Sequence, residues 1–212
     1  MSYPFEIRTI PYSLLRMQPH LDATSMYLHY HGIFNYDKRR LNHILSRNKQ
    51  LQNMSLEELY FDPLPLTDQR TQTLVRNFSA SVYNHELFFM NFTSAANAKP
   101  PVGPLGKAIN NTYGSFENFR EIFTAAALSA LLPGWIFLCT GRQGDIHIEV
   151  IDGNRIPNVE FVTPIAVMDV FEHAFYLQFT THFEQYVTAW LDTQNYNQIE
   201  RLFVAAQKTP QK

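Results

Sequence analysis

The 212-residue chain has one cysteine, no long apolar run and almost no excess of either charge, and each shortage closes a class of answers. A lone cysteine, Cys139, excludes an internal disulfide and any metal site built from several thiolates. Set in WIFLCT at 135–140, it reads as a small buried apolar residue. No apolar stretch is long enough to span a bilayer, so no membrane partner is expected. Lys+Arg 17 against Asp+Glu 19 leaves a formal charge of -2, which offers no broad basic surface for nucleic acid. The short run Lys38-Arg39-Arg40 reads as a solvated helix face. The opening MSYPFEIRTIPYS lacks the pattern of a signal or transit peptide, so the expected location is cytoplasmic.

What is present is an ordinary globular balance, 45% hydrophobic and 17% charged, enough for a substantial core. The pattern is helical from Asp22 to about Asn91. Ser55–Glu58 has the form of a capping box, and Thr67-Asp68 supplies another helix start. Two long helices joined by a polar stretch predict an antiparallel helical hairpin domain over 1–95. SAANAKPPVGP at 94–104 reads as a linker. After it come a helix opened by Ser115, then apolar segments separated by turns at GRQGD and DGN. WIFLCT, IHIEVI and VEFVTPIAVM (159–168) predict a three-stranded antiparallel sheet. HFEQYVTAWL and NQIERLFVAA close the chain as helices. The predicted fold class is α+β, with 96–212 forming a domain whose sheet is wrapped by helices.

Among eight histidines, His85 falls inside the apolar stripe Leu74, Phe78, Val82, His85, Phe89 of one helix. His29 lies near the face formed by Met26, Ile33, Asp37 and Ile44 on another. A buried imidazole needs partners for its nitrogens, and a backbone carbonyl would serve as well as a metal. Asp169 ends a buried strand, where an uncompensated carboxylate is costly, and His173 follows one helical turn later. Three imidazoles and one carboxylate suit iron, manganese or zinc better than calcium or magnesium. Spacing alone leaves both readings open: a metal site, or satisfied polar groups in a core.

The motifs resemble those of the iron/manganese superoxide dismutases. PYSLLRMQPHLDATSMYLH is similar to that family's first segment, VYNHELFF to its second-ligand segment, and DVFEHAFYL to its Asp-Val-Trp-Glu-His-Ala-Tyr-Tyr-Leu signature. SLEEL, GSFENF, PGW and NYNQIERLF are shorter echoes. The resemblance implies His29, His85, Asp169 and His173 as ligands of one Mn or Fe ion per chain. It also implies an antioxidant oxidoreductase that disproportionates superoxide to oxygen and hydrogen peroxide, working as a homodimer. Glu172 matches the glutamate that crosses the dimer to the partner's metal histidine, and Tyr176 matches the interface tyrosine.

Several surrounding positions depart from the family pattern. A glutamine that bonds the metal-bound solvent is replaced by Ser81 at one of its two places and falls near Asn154-Arg155 at the other. The gateway histidine is Ile33, and the channel tyrosine is in register with Asp37, beside Tyr36. The signature tryptophan is Phe171, and the basic pair is His182-Phe183. Tyr36, Asp37, Ser81, Asn154 and Arg155 are therefore the expected lining of an altered site. These departures admit a second reading, a superoxide-dismutase-like protein of weak or no activity that serves as a structural or interaction subunit. A third is peroxide or oxygen chemistry at the same metal.

Overall fold

The computed structural model describes residues 3–6, 9–131 and 133–208; the chain's start and end therefore lie partly outside the described residues. Asp22 caps the first helix by accepting from the Ser25 amide. From there α1 (Ala23–Tyr27) passes into a π-helical segment (Leu28–Phe34) and on into α2 (Asn35–Ser46) without a break. The capping box at Ser55 is present and opens α3 (Leu56–Phe61). Asp68 accepts from the Arg70 and Thr71 amides and opens α4 (Gln69–Met90), which packs against α2 and α3. This is the expected helical hairpin.

The π-helical segment corrects the predicted face of the first helix. A wider turn inserts one extra residue, so a face read at 3.6 residues per turn slips by one position. Tyr30 and Phe34 take the buried places, while Ile33 is 36% exposed.

The linker reading of 94–104 ends where α5 (Pro104–Tyr113) begins, a helix that the sequence pattern did not reveal. Pro104 stands at its first position, where a missing amide costs nothing. Gly106 masks the periodicity, and it is required: a Cβ there would lie 2.1 Å from the Pro101 carbonyl oxygen. α6 (Phe116–Leu128) follows, capped by Ser115.

Three strands then form an antiparallel sheet in the order β2-β1-β3: β1 (Gly134–Thr140), β2 (Ile146–Asp152) and β3 (Thr163–Asp169). β3 starts later than VEFVTPIAVM suggested, because residues 159–162 complete a turn closed by Phe161 and Val162 amides bonding the Asn158 carbonyl. The central strand β1 is buried throughout, and α7 (Glu172–Phe179), α8 (Phe183–Leu191) and α9 (Tyr196–Lys208) complete the fold. α4 packs on β3 and α1 on α7, which brings the helical hairpin against the end of the sheet. Among the described residues no helix is long and apolar enough to cross a membrane.

Candidate metal centre

Four elements each deliver one polar side chain to a single buried point. His29 comes from the π-helical segment, His85 from α4, Asp169 from the last position of β3 and His173 from the first turn of α7. The Nε2 atoms of His29, His85 and His173 lie 3.2, 3.6 and 3.1 Å from Asp169 Oδ2. His29, His85 and Asp169 are buried, and His173 forms the open side.

His85 and Asp169 are held from behind by hydrogen bonds. The His85 Nδ1–H donates to the Ser81 carbonyl at 2.8 Å, which fixes the tautomer and leaves Nε2 as a bare lone pair. Asp169 Oδ1 accepts from the Phe171 amide at 2.8 Å, and its backbone carbonyl accepts from the Tyr186 hydroxyl at 2.8 Å. Rings wall the rest. Phe34 stacks on His85 with planes 9° apart, Trp135 meets His85 edge-on at 5.0 Å, and Phe171 stacks on His173. Phe88 and Phe89 flank His29. Of these rings, the sequence pointed to Trp135 through PGW, to Phe171 in the signature and to Phe89 in the apolar stripe; Phe34 was hidden by the slipped helical register.

The electrostatics suit a cation. Burial lowers the His29 pKa, and burial with the neighbouring His29 imidazole lowers that of His85 to about 3, so both imidazoles are neutral. Burial alone would raise Asp169, but the His173 and His29 imidazoles outweigh it and hold the carboxyl below its usual range. Burial opposes a charge on His173 too, yet Asp169 outweighs that and raises its pKa. His85 Nε2 and both nitrogens of His29 are buried without a hydrogen-bond partner. A lone pair therefore faces a carboxylate oxygen across 3.6 Å with no donor between them. A positive ion at the centre would resolve that conflict, and the four residues fit a metal ion in type and convergence, with His173 giving up its proton on binding.

The outer residues fall differently from the sequence expectation. The Ser81 hydroxyl donates to Asp37 Oδ2 at 2.5 Å and lies 3.2 Å from His85 Nδ1. Burial raises the Asp37 pKa against the opposing effect of that hydrogen bond. Asn154 Oδ1 accepts from the Trp135 indole N–H at 3.2 Å, one ring away from His85. Arg155 does not turn inward: its Nε–H donates to the Asp152 carbonyl and its side chain is exposed, because a buried guanidinium there would lack a counter-charge. Its backbone carbonyl instead accepts from Asn84 Nδ2 at 3.0 Å. Tyr36, Glu172 and Tyr176 are exposed.

Comparison with known proteins agrees with this geometry. Residues 101–202 match the family described as iron/manganese superoxide dismutases, C-terminal domain. The chain is 33% identical to the manganese superoxide dismutase of Thermus thermophilus over 209 residues, 97% of this chain and 100% of that protein. It is 31% identical to the manganese superoxide dismutase of Thermus aquaticus over 211 residues, 97% and 100% of the two chains. It is 30% identical to superoxide dismutase [Mn] 3 of Leptolyngbya boryana over 203 residues, 96% and 84% of the two chains. With the family signature, the fold and the converging donors in agreement, the chain belongs to the iron/manganese superoxide dismutase family.

Proposed function

We propose that the protein is a metal-dependent superoxide dismutase that holds one manganese or iron ion per chain through His29, His85, Asp169 and His173. The observation that carries this reading is the convergence of three imidazole Nε2 atoms on Asp169 Oδ2 within 3.6 Å, in a chain whose relatives are named for that activity. In this reading the hairpin domain (1–95) and the α+β domain (96–212) contribute two ligands each. When bound, manganese or iron supplies the one-electron cycle in which one superoxide is oxidised to oxygen and a second, taking two protons, leaves as hydrogen peroxide. Zinc would fit the donors but has no such cycle.

The chain's own groups orient and insulate that chemistry. Ser81 fixes the His85 tautomer through its carbonyl, and the rings of Phe34, Trp135 and Phe171 keep bulk water away. The Ser81 hydroxyl donates to Asp37 beside the site. His173 is the most open of the four, which favours it as the side from which superoxide enters. Exposed Tyr27 at the end of α1, Leu28 and Ile33 on the π-helical segment, and Tyr176 and Leu177 on α7, which packs on α1, form an apolar surface suited to a homodimer. Glu172, also exposed on α7, would cross to the second copy.

A second reading, a family member with weak or no activity, is favoured by one observation. Asp37 brings a carboxylate where the family pattern has a neutral phenol, and a negative group repels superoxide. The discriminating experiment is the superoxide removal rate of protein loaded with Mn or Fe, set against the same protein stripped of metal. Metal-dependent removal supports the enzyme; full loading without removal supports the second reading.

A further inference from the structure

Cys139, expected to be a small buried apolar residue, is buried but has polar company. The β1–β2 register sets Cys139 opposite His147, and Glu149 stands opposite Phe137 two residues along. Alternation puts Cys139, His147 and Glu149 on the face of the sheet that also carries Trp135. A thiol sulfur, an imidazole nitrogen and a carboxylate oxygen from these three lie within 4.8 Å of one another. His147 Nε2 is 2.8 Å from Glu149 Oε1. The β1–β3 ladder shifts register between Leu138 and Cys139, a distortion of the kind that re-aims a side chain. No residue is shared with the His29 group, and Cys139 lies four residues along β1 from Trp135, about 13 Å away.

We propose that Cys139, His147 and Glu149 form a second metal site, one that takes a zinc-class divalent cation. One thiolate, one imidazole and one carboxylate make a donor set that zinc accepts, with a fourth position for water. Cys139 forms the buried floor, while His147 and Glu149, with side chains 40% and 30% exposed, form a rim through which an ion enters. On binding, the Cys139 S–H bond breaks, the sulfur keeps the electron pair and shares it with the ion, and the proton leaves to solvent. Burial, and then the Glu149 carboxylate, hold that thiol protonated in the metal-free protein, so the incoming dication replaces a proton rather than meeting a free thiolate. Zinc does not cycle between oxidation states, so the site clamps β1 to β2 and stands apart from the redox centre.

The test uses protein whose first centre is already filled with manganese, titrated with Co²⁺ as a spectroscopic stand-in for zinc. Cys139 is the chain's only thiol, so a thiolate-to-cobalt charge-transfer band reports this site alone. The expected band saturates at one cobalt per chain, disappears when Zn²⁺ is added, and is missing in Cys139→Ser. His147→Gln alters a half-exposed side chain and keeps the core cysteine, so it serves even if Cys139→Ser does not fold. It should weaken cobalt binding by more than about 100-fold, beyond the loss of an outer contact. Folded wild-type protein without the band in excess Co²⁺, or a band unaffected by His147→Gln, overturns the proposal.

Discussion

The Ser81 hydroxyl donates to Asp37 Oδ2 at 2.5 Å, tying the helix that carries His85 to the helix that continues from His29. Two residues that each depart from the family pattern thus answer one another. Asp37 is the better probe because its charge bears on stability and on anion traffic. Burial raises its pKa above the ordinary value near 3.8, so the metal-free folded state holds this proton more tightly than the unfolded chain does. Stability from this group is therefore fullest below the ordinary value and is lost as pH rises through the folded one. Asp37→Asn, which cannot ionise, should raise the urea midpoint of metal-free protein at neutral pH and lose that gain in acid. In metal-loaded protein the same change should speed superoxide removal and flatten its salt dependence, because one repulsive charge is gone. An unchanged midpoint at neutral pH would refute the account of Asp37.

The neutral His85 predicts an acid weakness of the metal-free protein. Its pKa falls from 6.5 unfolded to about 3 folded, so its contribution is complete above 6.5 and is lost as pH drops toward 3. The slope should be about 1.4 kcal/mol per pH unit from this one group. His173, whose pKa is raised, works in the opposite sense: its contribution is complete at low pH and is lost as pH rises through the folded value. Unfolding free energies across this range should steepen in acid for wild type and flatten for His85→Gln. Equal slopes in both would contradict the assignment.

Asn154 is linked to His85 through the Trp135 indole, and a glutamine adds one methylene of reach at that position. Asn154→Gln should raise the rate of superoxide removal by about 10–100-fold, the range typical of an outer contact to a metal site. Metal content should not change. A rate that stays level or falls would remove Asn154 from the account of the altered site.

Leu177 is 62% exposed on α7, beside the exposed Tyr176. If this surface is the dimer contact, light scattering should give wild-type protein twice the mass of the chain. Leu177→Arg should give one chain, since a guanidinium facing its own copy across a two-fold is both desolvated and repelled. A dimer that survives the substitution would move the interface elsewhere.

Three of the four donors sit in a local pattern that made them legible: an apolar stripe around His85, a strand end at Asp169, a helical turn to His173; His29 stood near a helical face that the π-helical segment shifts, and the family resemblance singled it out. Secondary structure was legible where caps announce it, as at Ser55, Asp68 and Ser115. Ile33 was assigned inward because periodicity assumes one kind of turn, and the π-helical segment breaks that assumption. α5 was missed because Gly106, needed for close approach to Pro101, looks like a helix breaker. The Asp37–Ser81 bond and the Cys139, His147, Glu149 group arise from partners 44 and eight to ten positions apart, brought together by helix packing and strand register. No local pattern encodes them.

The central claim is that His29, His85, Asp169 and His173 hold a redox-active ion that removes superoxide. Metal content and superoxide removal measured on the same samples, wild type beside His85→Ala, test it most directly. The account predicts close to one manganese or iron per chain with metal-dependent removal in wild type, and most of both lost in His85→Ala. Wild-type protein that stays metal-free after reconstitution with either ion, or His85→Ala that keeps both its metal and its rate, would contradict it.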